Sequence, residues 1–312
     1  MPGLVSTSSF TELAAELDSA VAWFERMGVD TRKSRLGRYV DSIARLVRAH
    51  ATQNFDNIAD NDQAIKTALY EANEFITIYR RLSAAQYDDT VRGRIARIAS
   101  GPEHYTDETP DAANSARNYA FELLVMDRLV GGGLALADGV GSDTAVIADN
   151  RIVAIECKRL MSDRGTERRF KDAQKQLKRR YANATRPGMR GLIGIDITRA
   201  VNPNFGIIRL EDSNIGAVMR DTMAGFVDVH RPTLTYAIGT KTVAALLRLS
   251  LLAVLKTEKS LVTYCQHYLL CPLGNLSALD RRVTDAIGKA IANAVEDDHD
   301  IGPTLNATKI QN

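Results

Sequence analysis

The sequence predicts an α/β fold, with a mixed central sheet flanked by helices and preceded by an all-α N-terminal domain. Apolar residues recur at helical spacing through residues 11–99. Residues 100–113 contain two prolines and a glycine, a composition typical of a linker. Helical and strand-like segments then alternate as far as residue 198. We therefore expect a helical domain over residues 1–105, an α/β domain over 106–300 and a disordered tail over 301–312.

The helical domain is predicted from three amphipathic segments, residues 13–27, 36–51 and 64–82. Arg92, Arg94 and Arg97, near the linker, are expected on an exposed helix face, with phosphate contact as the alternative.

The α/β domain is predicted to begin with a helix over residues 114–130, capped by Asn114 or Ser115. Gly131-Gly132-Gly133 follows this helix and precedes a strand over residues 134–137. Phosphate-cradling glycines stand in the reverse order, between a strand and the helix after it. We therefore interpret these glycines as a helix C-cap and tight turn.

A hairpin is predicted next. Two apolar runs, residues 144–148 and 152–155, flank Asp149-Asn150. Both turn residues tolerate the left-handed backbone that a two-residue hairpin needs. The turn sets the register, since Ala148 must then pair with Arg151.

Asp143 and Glu156 are the candidate site residues of this hairpin. Counting outward from the turn places them directly opposite each other, with Cβ atoms about 4.5–5.5 Å apart, and Lys158 on the same face. The facing carboxylates repel, and a divalent cation between them would remove the conflict. A carboxylate pair beside an ammonium suits Mg²⁺-dependent phosphodiester cleavage, with Lys158 stabilising charge or positioning the attacking water.

Cys157 lies between Glu156 and Lys158 but is expected to point to the opposite face, toward the core, while its backbone carbonyl remains a candidate metal ligand. A Glu-x-Lys tripeptide alone is more often a solvated strand edge. The register of Asp143 and the apolar neighbours favour a site.

Glu122 is the informative residue of the preceding helix. At 100° per residue, Val125, Met126 and Leu129 lie within about 60° of it, so its carboxylate points into an apolar stripe. An unpaired carboxylate there is costly. We expect a metal ion or its bound water as partner, and an arginine or a backbone amide is the alternative.

A strongly basic helix is predicted after the hairpin, capped by Thr166 and running from Glu167 to about Ala182. Lys175, Lys178 and Arg179 are its candidate phosphate contacts, and an ordinary solvated face is the alternative. Gln174 and Gln176 could reach a nucleic-acid backbone or base. A buried central strand is expected over residues 191–198.

The elements after residue 198 are predicted from periodicity and residue composition. Residues 213–227 and 277–295 are expected to be helices. Residues 242–256 and 261–271 could be helices, which their leucines favour, or strands joined at residues 256–260. Thr263, Tyr264 and Tyr268 favour the strands.

Composition excludes several classes. The chain has 40 Lys and Arg against 38 Asp and Glu, so a nucleic-acid surface must be a local patch. The three cysteines and five histidines show no disulfide framework or zinc spacing. No signal peptide or membrane span is predicted, so we expect a cytoplasmic protein with no membrane association.

The element order and motif resemble the PD-(D/E)XK nuclease superfamily, which has a restriction-endonuclease-like fold. The resemblance covers residues 114–198. It implies that Glu122, Asp143, Glu156 and Lys158 form the metal and catalytic site. A glutamine of the following helix, Gln174 or Gln176, would assist. Ser142 stands where the family motif has proline.

The resemblance implies a Mg²⁺-dependent endonuclease, with Mn²⁺ as substitute, acting on DNA in restriction or phage defence. Its metal ligands would be Glu122, Asp143 and Glu156, and the backbone carbonyl of Cys157 is the further candidate from the strand geometry. Further expected partners are a second copy of the chain or a protein of a defence system. One alternative is a nuclease-fold protein that binds nucleic acid or a partner without cleavage. Another is a structural or regulatory protein. DNA against RNA, cleavage sequence and oligomeric state stay open.

Overall fold

The computed structural model describes residues 4–54, 63–83, 89–108, 115–137, 140–183, 188–210, 215–236, 241–255 and 261–299. The architecture is α/β, with helices on both faces of a mixed sheet. The predicted tail over 301–312 lies outside the described residues. No helix in the described part is both long and apolar enough to cross a membrane.

The helices are α1 (Phe10–Arg26), α2 (Arg35–Thr52), α3 (Gln63–Leu82), α4 (Asp89–Ile98), α5 (Ser115–Gly131), α6 (Thr166–Ala182), α7 (Thr198–Val201), α8 (Ile215–Tyr236) and α9 (Ala278–His299). The strands are β1 (Leu4–Ser9), β2 (Ala135–Leu136), β3 (Thr144–Ala148), β4 (Arg151–Arg159), β5 (Arg190–Asp196), β6 (Ile208–Leu210), β7 (Thr242–Leu255) and β8 (Leu261–Pro272). The predicted helices and strands are thus present, while α7, β1 and β6 were not predicted.

The described strands form one sheet in the order β1-β8-β7-β5-β4-β3-β2, and β6 pairs with the end of β7. β5 lies between β4 and β7 and is parallel to both, so the predicted central strand is confirmed. The β2–β3, β3–β4, β7–β8 and β1–β8 pairs are antiparallel. Thus β4, which carries Glu156 and Lys158, joins the antiparallel hairpin to the parallel centre.

The structure confirms strands in the C-terminal region. β7 and β8 pair along most of their length, from Ala244 opposite Pro272 to Val254 opposite Val262. Their leucines do not make a helix because β7 is covered on both faces, and such a strand is apolar along most of its length. The predicted turn residues 256–260 lie outside the described part.

The N-terminal segment differs from the prediction. Residues 4–9 form β1 on the edge of the sheet, beside β8. Ser9 then caps α1, since its hydroxyl oxygen accepts a hydrogen bond from the Glu12 N–H while the Glu12 carboxylate accepts one from the Ser9 N–H. This capping box ends the strand and begins the first helix.

The hydrophobic core is continuous across the predicted boundary near residue 105. Leu123, Leu124 and Met126 of α5 belong to the cluster formed by the N-terminal helices, which also includes Leu252 and Tyr264 of the sheet. On its other side, α5 packs through a second apolar stripe against the sheet and α9. α5 is therefore buried on two sides, between the helical region and the sheet.

A buried ion-pair network also joins the two regions, and we call it the arginine network. Glu71 of α3 accepts hydrogen bonds from Arg35 and Arg117, at 2.7 and 2.5 Å. Glu108 pairs at 3.1 Å with Arg117, with Arg159 at the end of β4 and with Arg199. The network continues through Asp196 and Glu74, both of which pair with Arg248.

Two predicted helix ends can be compared with the structure. α5 ends as predicted: Gly133 has φ of +96°, and the Leu134 N–H donates to the Leu129 carbonyl. The predicted Thr166 cap is wrong, because Gly165 is the N-cap and Thr166 is the first helical residue. The Thr166 hydroxyl instead donates to the Asp163 carbonyl. Asn114 lies outside the described residues.

Candidate active site

The β3–β4 hairpin has the predicted turn and register. Asp149 and Asn150 adopt φ angles of 45° and 58°, the left-handed values of a two-residue turn. Ala148 pairs with Arg151, and the ladder continues to Thr144 opposite Ile155. Asp143 and Glu156 stand one residue beyond the last pair of this ladder, and the Lys158 Nζ lies 3.9 Å from a carboxylate oxygen of each, so the two acids are close together.

Polar contacts, rather than empty space, separate the two carboxylates. Asp143 Oδ2 accepts a hydrogen bond of 2.7 Å from the Cys157 N–H. The Lys158 Nζ lies 3.9 Å from Asp143 Oδ2 and 3.9 Å from Glu156 Oε2. It also donates a 2.9 Å hydrogen bond to the Cys157 carbonyl. The ammonium thus offsets the repulsion that the sequence predicted, from a position beside both acids.

Glu156 is the most enclosed acid of the site, with a side-chain exposure of 0 %. Its Oε1 accepts a 3.1 Å hydrogen bond from Arg180 Nε of α6. Its Oε2 is buried and has no hydrogen-bond partner among the described residues. Burial, followed by the nearby charge of Asp143, raises the pKa of Glu156. A buried oxygen without a donor favours the arrival of a proton or a cation.

Glu122 reaches the site from α5 and is buried, as predicted. Its described partner is Arg94 of α4, whose Nε lies 3.4 Å from Glu122 Oε2, so the arginine alternative holds in this structure. Burial and the charge of Asp143 raise the pKa of Glu122 to about 8, against the opposing effects of Arg94 and Lys158. Glu122 therefore belongs to the same electrostatic cluster as the hairpin acids.

Cys157 points away from the acids into the apolar core, as predicted. Burial raises the pKa of its thiol well above the ordinary value, so the side chain is a packing group. Its backbone carbonyl, the candidate metal ligand, accepts a hydrogen bond from the Lys158 ammonium.

Arg94 and Arg180 are the site residues that sequence reasoning missed. Arg94 was expected on an exposed face, but it is half-buried and donates to the backbone carbonyls of Asp143 and Ser142. Arg94 follows the buried Val91 by three residues and precedes the buried Ile98 by four. This helical spacing is the sequence signal that places it beside the buried face of α4. No local signal distinguishes Arg180 from the other basic residues of α6.

The basic face of α6 is exposed at Lys175, Lys178 and Arg179. Gln174 and Gln176 are half-buried, and the Oε1 atom of Gln176 is buried without a hydrogen-bond partner in the described structure. Gln174 follows the buried Phe170 by four residues and Gln176 follows the buried Ala173 by three, so both lie beside the buried face of α6.

The donor set can be tested against a divalent cation. Carboxylate and carbonyl oxygens are the ligands that Mg²⁺ prefers, and the free Glu156 Oε2 offers one of them. Within the described residues, however, no three His, Cys, Asp or Glu side chains converge on a common metal position. The chemistry of the donors fits Mg²⁺, while Lys158, Arg180 and the Cys157 N–H now satisfy much of their charge.

Comparisons with protein-family models, with curated proteins and with solved structures found no match.

Proposed function

We propose that this protein is a divalent-metal-dependent nuclease that hydrolyses phosphodiester bonds, and more specifically a DNA endonuclease of restriction or phage defence. The observation that carries the proposal is the position of Lys158. Its ammonium lies 3.9 Å from Asp143 Oδ2 and from Glu156 Oε2, and the latter is a buried oxygen with no hydrogen-bond partner among the described residues. A phosphate approaching this point would meet a cation held by two acids.

The element order supports the same proposal. Helix α5 is followed by strands β2, β3 and β4, then by helix α6 and the parallel strand β5. The resemblance to the PD-(D/E)XK superfamily implies this order, with the acids on α5, at the start of β3 and on β4. The restriction-endonuclease-like core is therefore part of the proposal.

Each residue has a proposed role. Asp143, Glu156 and the Cys157 carbonyl would hold Mg²⁺ or Mn²⁺, with Glu122 nearby from α5. When bound, the ion would supply Lewis-acid stabilisation of phosphate charge and a more acidic water. Lys158 would stabilise developing charge on phosphate or position the attacking water. Gln174 would contact the nucleic acid or support the site from α6, and Gln176 is the other candidate.

The substrate surface would be the exposed basic face of α6. Lys175, Lys178 and Arg179 lie on the helix that follows β4 in the chain and whose Arg180 contacts Glu156. Nucleic-acid phosphates would release counter-ions on binding there. A homodimer, or a partner protein of a defence system, would extend this surface.

The test is incubation of the protein with supercoiled plasmid and with single-stranded DNA, in Mg²⁺, in Mn²⁺ and in EDTA. We expect cleavage with either metal and none with EDTA. Lys158→Ala should reduce the cleavage rate at least about a hundredfold, the scale for losing one charge-stabilising donor. It should also retain the melting-temperature increase caused by Mg²⁺.

Lys171→Ala is the matched control, because Lys171 is an exposed lysine that pairs with Glu167 on α6. It should cleave like the wild type. Cleavage that persists unchanged in EDTA would contradict the metal-dependent proposal.

The second candidate is a nuclease-fold protein that binds nucleic acid or a partner without cutting. The contacts of Asp143 and Glu156 with the Cys157 N–H and Arg180 favour it, since they partly satisfy both acids without metal. Binding of DNA without cleavage in Mg²⁺ and in Mn²⁺ would support this candidate over the enzyme.

A further inference from the structure

The two oxygens of Glu156 have different partners. Oε1 accepts the Arg180 Nε–H at 3.1 Å, while the buried Oε2 has no hydrogen-bond partner in the described structure. The Lys158 ammonium lies 3.9 Å from Oε2. One arginine thus provides the hydrogen bond to a carboxylate that has a side-chain exposure of 0 %.

Arg180 reaches this carboxylate from the last turn of α6. Its side chain is 35 % exposed, so its outer part remains in water while Nε contacts the buried acid. A Cβ atom on Gly141 would lie 3.5 Å from Arg180 Nη1, so the guanidinium also runs along the loop that leads to Asp143. Arg180 therefore lies on the solvent side of the two acids.

This position conflicts with a metal ion at the same carboxylate. A divalent cation that used Glu156 Oε1 would compete directly with the guanidinium, and an ion at Oε2 would lie beside a like charge. A half-exposed arginine can leave, because water replaces the carboxylate as its partner at little free-energy change. Occupation of Oε1 by Arg180 also agrees with the lack of a convergent group of three ligands among the described residues.

We propose that Arg180 is the resident counter-ion of Glu156 in the metal-free protein, and that a divalent cation binds by displacing it. The inference rests on the proposed metal site and adds its regulation. Arg180 is a positioning residue: it orients Glu156 while the site is empty, and it sets the metal concentration at which the site fills.

The test is metal binding by isothermal titration calorimetry on EDTA-treated protein, with Mg²⁺ and Mn²⁺ as probes and without nucleic acid. Arg180→Gln should bind both ions more tightly than wild type, on the order of tenfold, a typical coupling between two ligands of one site. Arg179→Gln is the matched control, since it removes the same charge from the neighbouring exposed position and should leave the metal affinity close to the wild-type value.

The outcomes separate the two proposals. If wild type binds metal and Arg180→Gln binds it equally or more weakly, the role of Arg180 is wrong while the metal site stands. If both arginine variants bind metal more tightly by the same factor, the loss of any positive charge on α6 explains the change, and the role of Arg180 is again wrong. If neither the wild type nor either variant binds metal, the metal-dependent function is wrong as well.

A second measurement does not depend on the folding of Arg180→Gln. In arginine-labelled wild-type protein, the Arg180 Nε–H resonance, assigned with Arg180→Lys, should exchange slowly with water in EDTA. Saturating Mg²⁺ should accelerate that exchange as the hydrogen bond to Glu156 breaks. An exchange rate unchanged by saturating Mg²⁺ would overturn the proposal.

Discussion

Lys158 and Arg159 are neighbours on β4, and their side chains enter two charged clusters on opposite sides of the strand. Lys158 lies with Asp143 and Glu156 in the candidate active site. Arg159 lies in the arginine network, where it pairs with Glu108 at 3.1 Å. Both clusters are largely buried, and both contain acids and bases. The clusters differ in whether each buried carboxylate oxygen has a hydrogen-bond donor.

In the arginine network the hydrogen-bond donors are sufficient at Glu71 and Glu108. Both carboxylate oxygens of Glu71 and of Glu108 accept hydrogen bonds from arginines. The surrounding arginines outweigh burial, so the pKa of Glu71 is lowered to about 2 and that of Glu108 is also lowered. Glu74, in the same network, differs from these two acids. Burial raises its pKa, and the charges of Glu71 and Asp196 add to this effect, although Arg248 is its ion-pair partner.

In the candidate site a buried carboxylate oxygen, Glu156 Oε2, has no hydrogen-bond donor among the described residues. The pKa of Glu122 is raised to about 8 and that of Glu156 is also raised, in both cases mainly by burial and then by Asp143. The comparison shows that burial alone does not distinguish a structural ion pair from a binding site. The distinguishing feature is a buried acid with a carboxylate oxygen that lacks a hydrogen-bond donor, because a cation that binds such an oxygen lowers the free energy.

The largest expected effect is in the arginine network. Glu71→Gln would leave Arg35 and Arg117 buried with one charge partner fewer, so the free energy of unfolding should fall by about 3–5 kcal/mol. Urea denaturation measures it. The exposed Lys171→Ala should change stability by less than about 0.5 kcal/mol. A decrease as small as that of the control would mean that water satisfies the network.

The pH dependence of the same variant follows from the lowered pKa. Glu71 has a folded pKa of about 2 against an ordinary value of 4.5, so its stabilisation is present above pH 4.5 and is lost as the pH falls toward 2. Glu71→Gln should therefore lose less stability than wild type over this interval.

Asp143 should show the next largest effect. Asp143→Ala removes the acceptor of the Cys157 N–H, so it should lower the apo stability by about 1–3 kcal/mol. Asp143→Asn keeps an acceptor oxygen without the charge and should remain close to wild type. Chemical denaturation in EDTA compares the two. If Asp143→Ala is instead as stable as wild type or more stable, repulsion between the facing acids dominates, as the sequence alone suggested.

Glu156→Gln tests the comparison most directly, because it makes the same chemical change as Glu71→Gln in the other cluster. Without metal, its stability should be unchanged or higher by about 1 kcal/mol, since the desolvation of a buried charge outweighs its attraction to the half-exposed Arg180. Thermal and urea unfolding in EDTA provide the measurement. A decrease comparable to that of Glu71→Gln would show that the two clusters are equivalent, and that the supply of donors does not distinguish them.

The smallest effect on stability is expected for exposed cations. Replacing Lys175, Lys178 and Arg179 together with Ala should change the free energy of unfolding by within about 0.5 kcal/mol. The same variant should weaken binding to DNA of any sequence. It should also flatten the logarithmic salt dependence by up to about 0.9 for each DNA phosphate that the variant no longer neutralises. Binding as tight as wild type at every salt concentration would mean that this face is merely solvated.

The local elements could be predicted from the sequence because their signals are local. The Asp149-Asn150 turn determined the register of the hairpin, whose ends bring Asp143 and Glu156 to the same Lys158 ammonium. Helical spacing identified α5 and α6, and β-branched and aromatic residues favoured strands β7 and β8 over helices.

What only the tertiary structure decided is the set of partners between distant segments. β1 pairs with β8 although the two strands are far apart in the sequence, and a run of six residues cannot reveal so distant a partner. Helical spacing places Arg94 beside a buried stripe but does not name its partner, and Arg180 carries no local signal that distinguishes it from exposed arginines. Packing directs the two side chains to Glu122 and Glu156. Periodicity specifies which face of a helix is buried, whereas the donor that each buried acid receives depends on how the helices pack together.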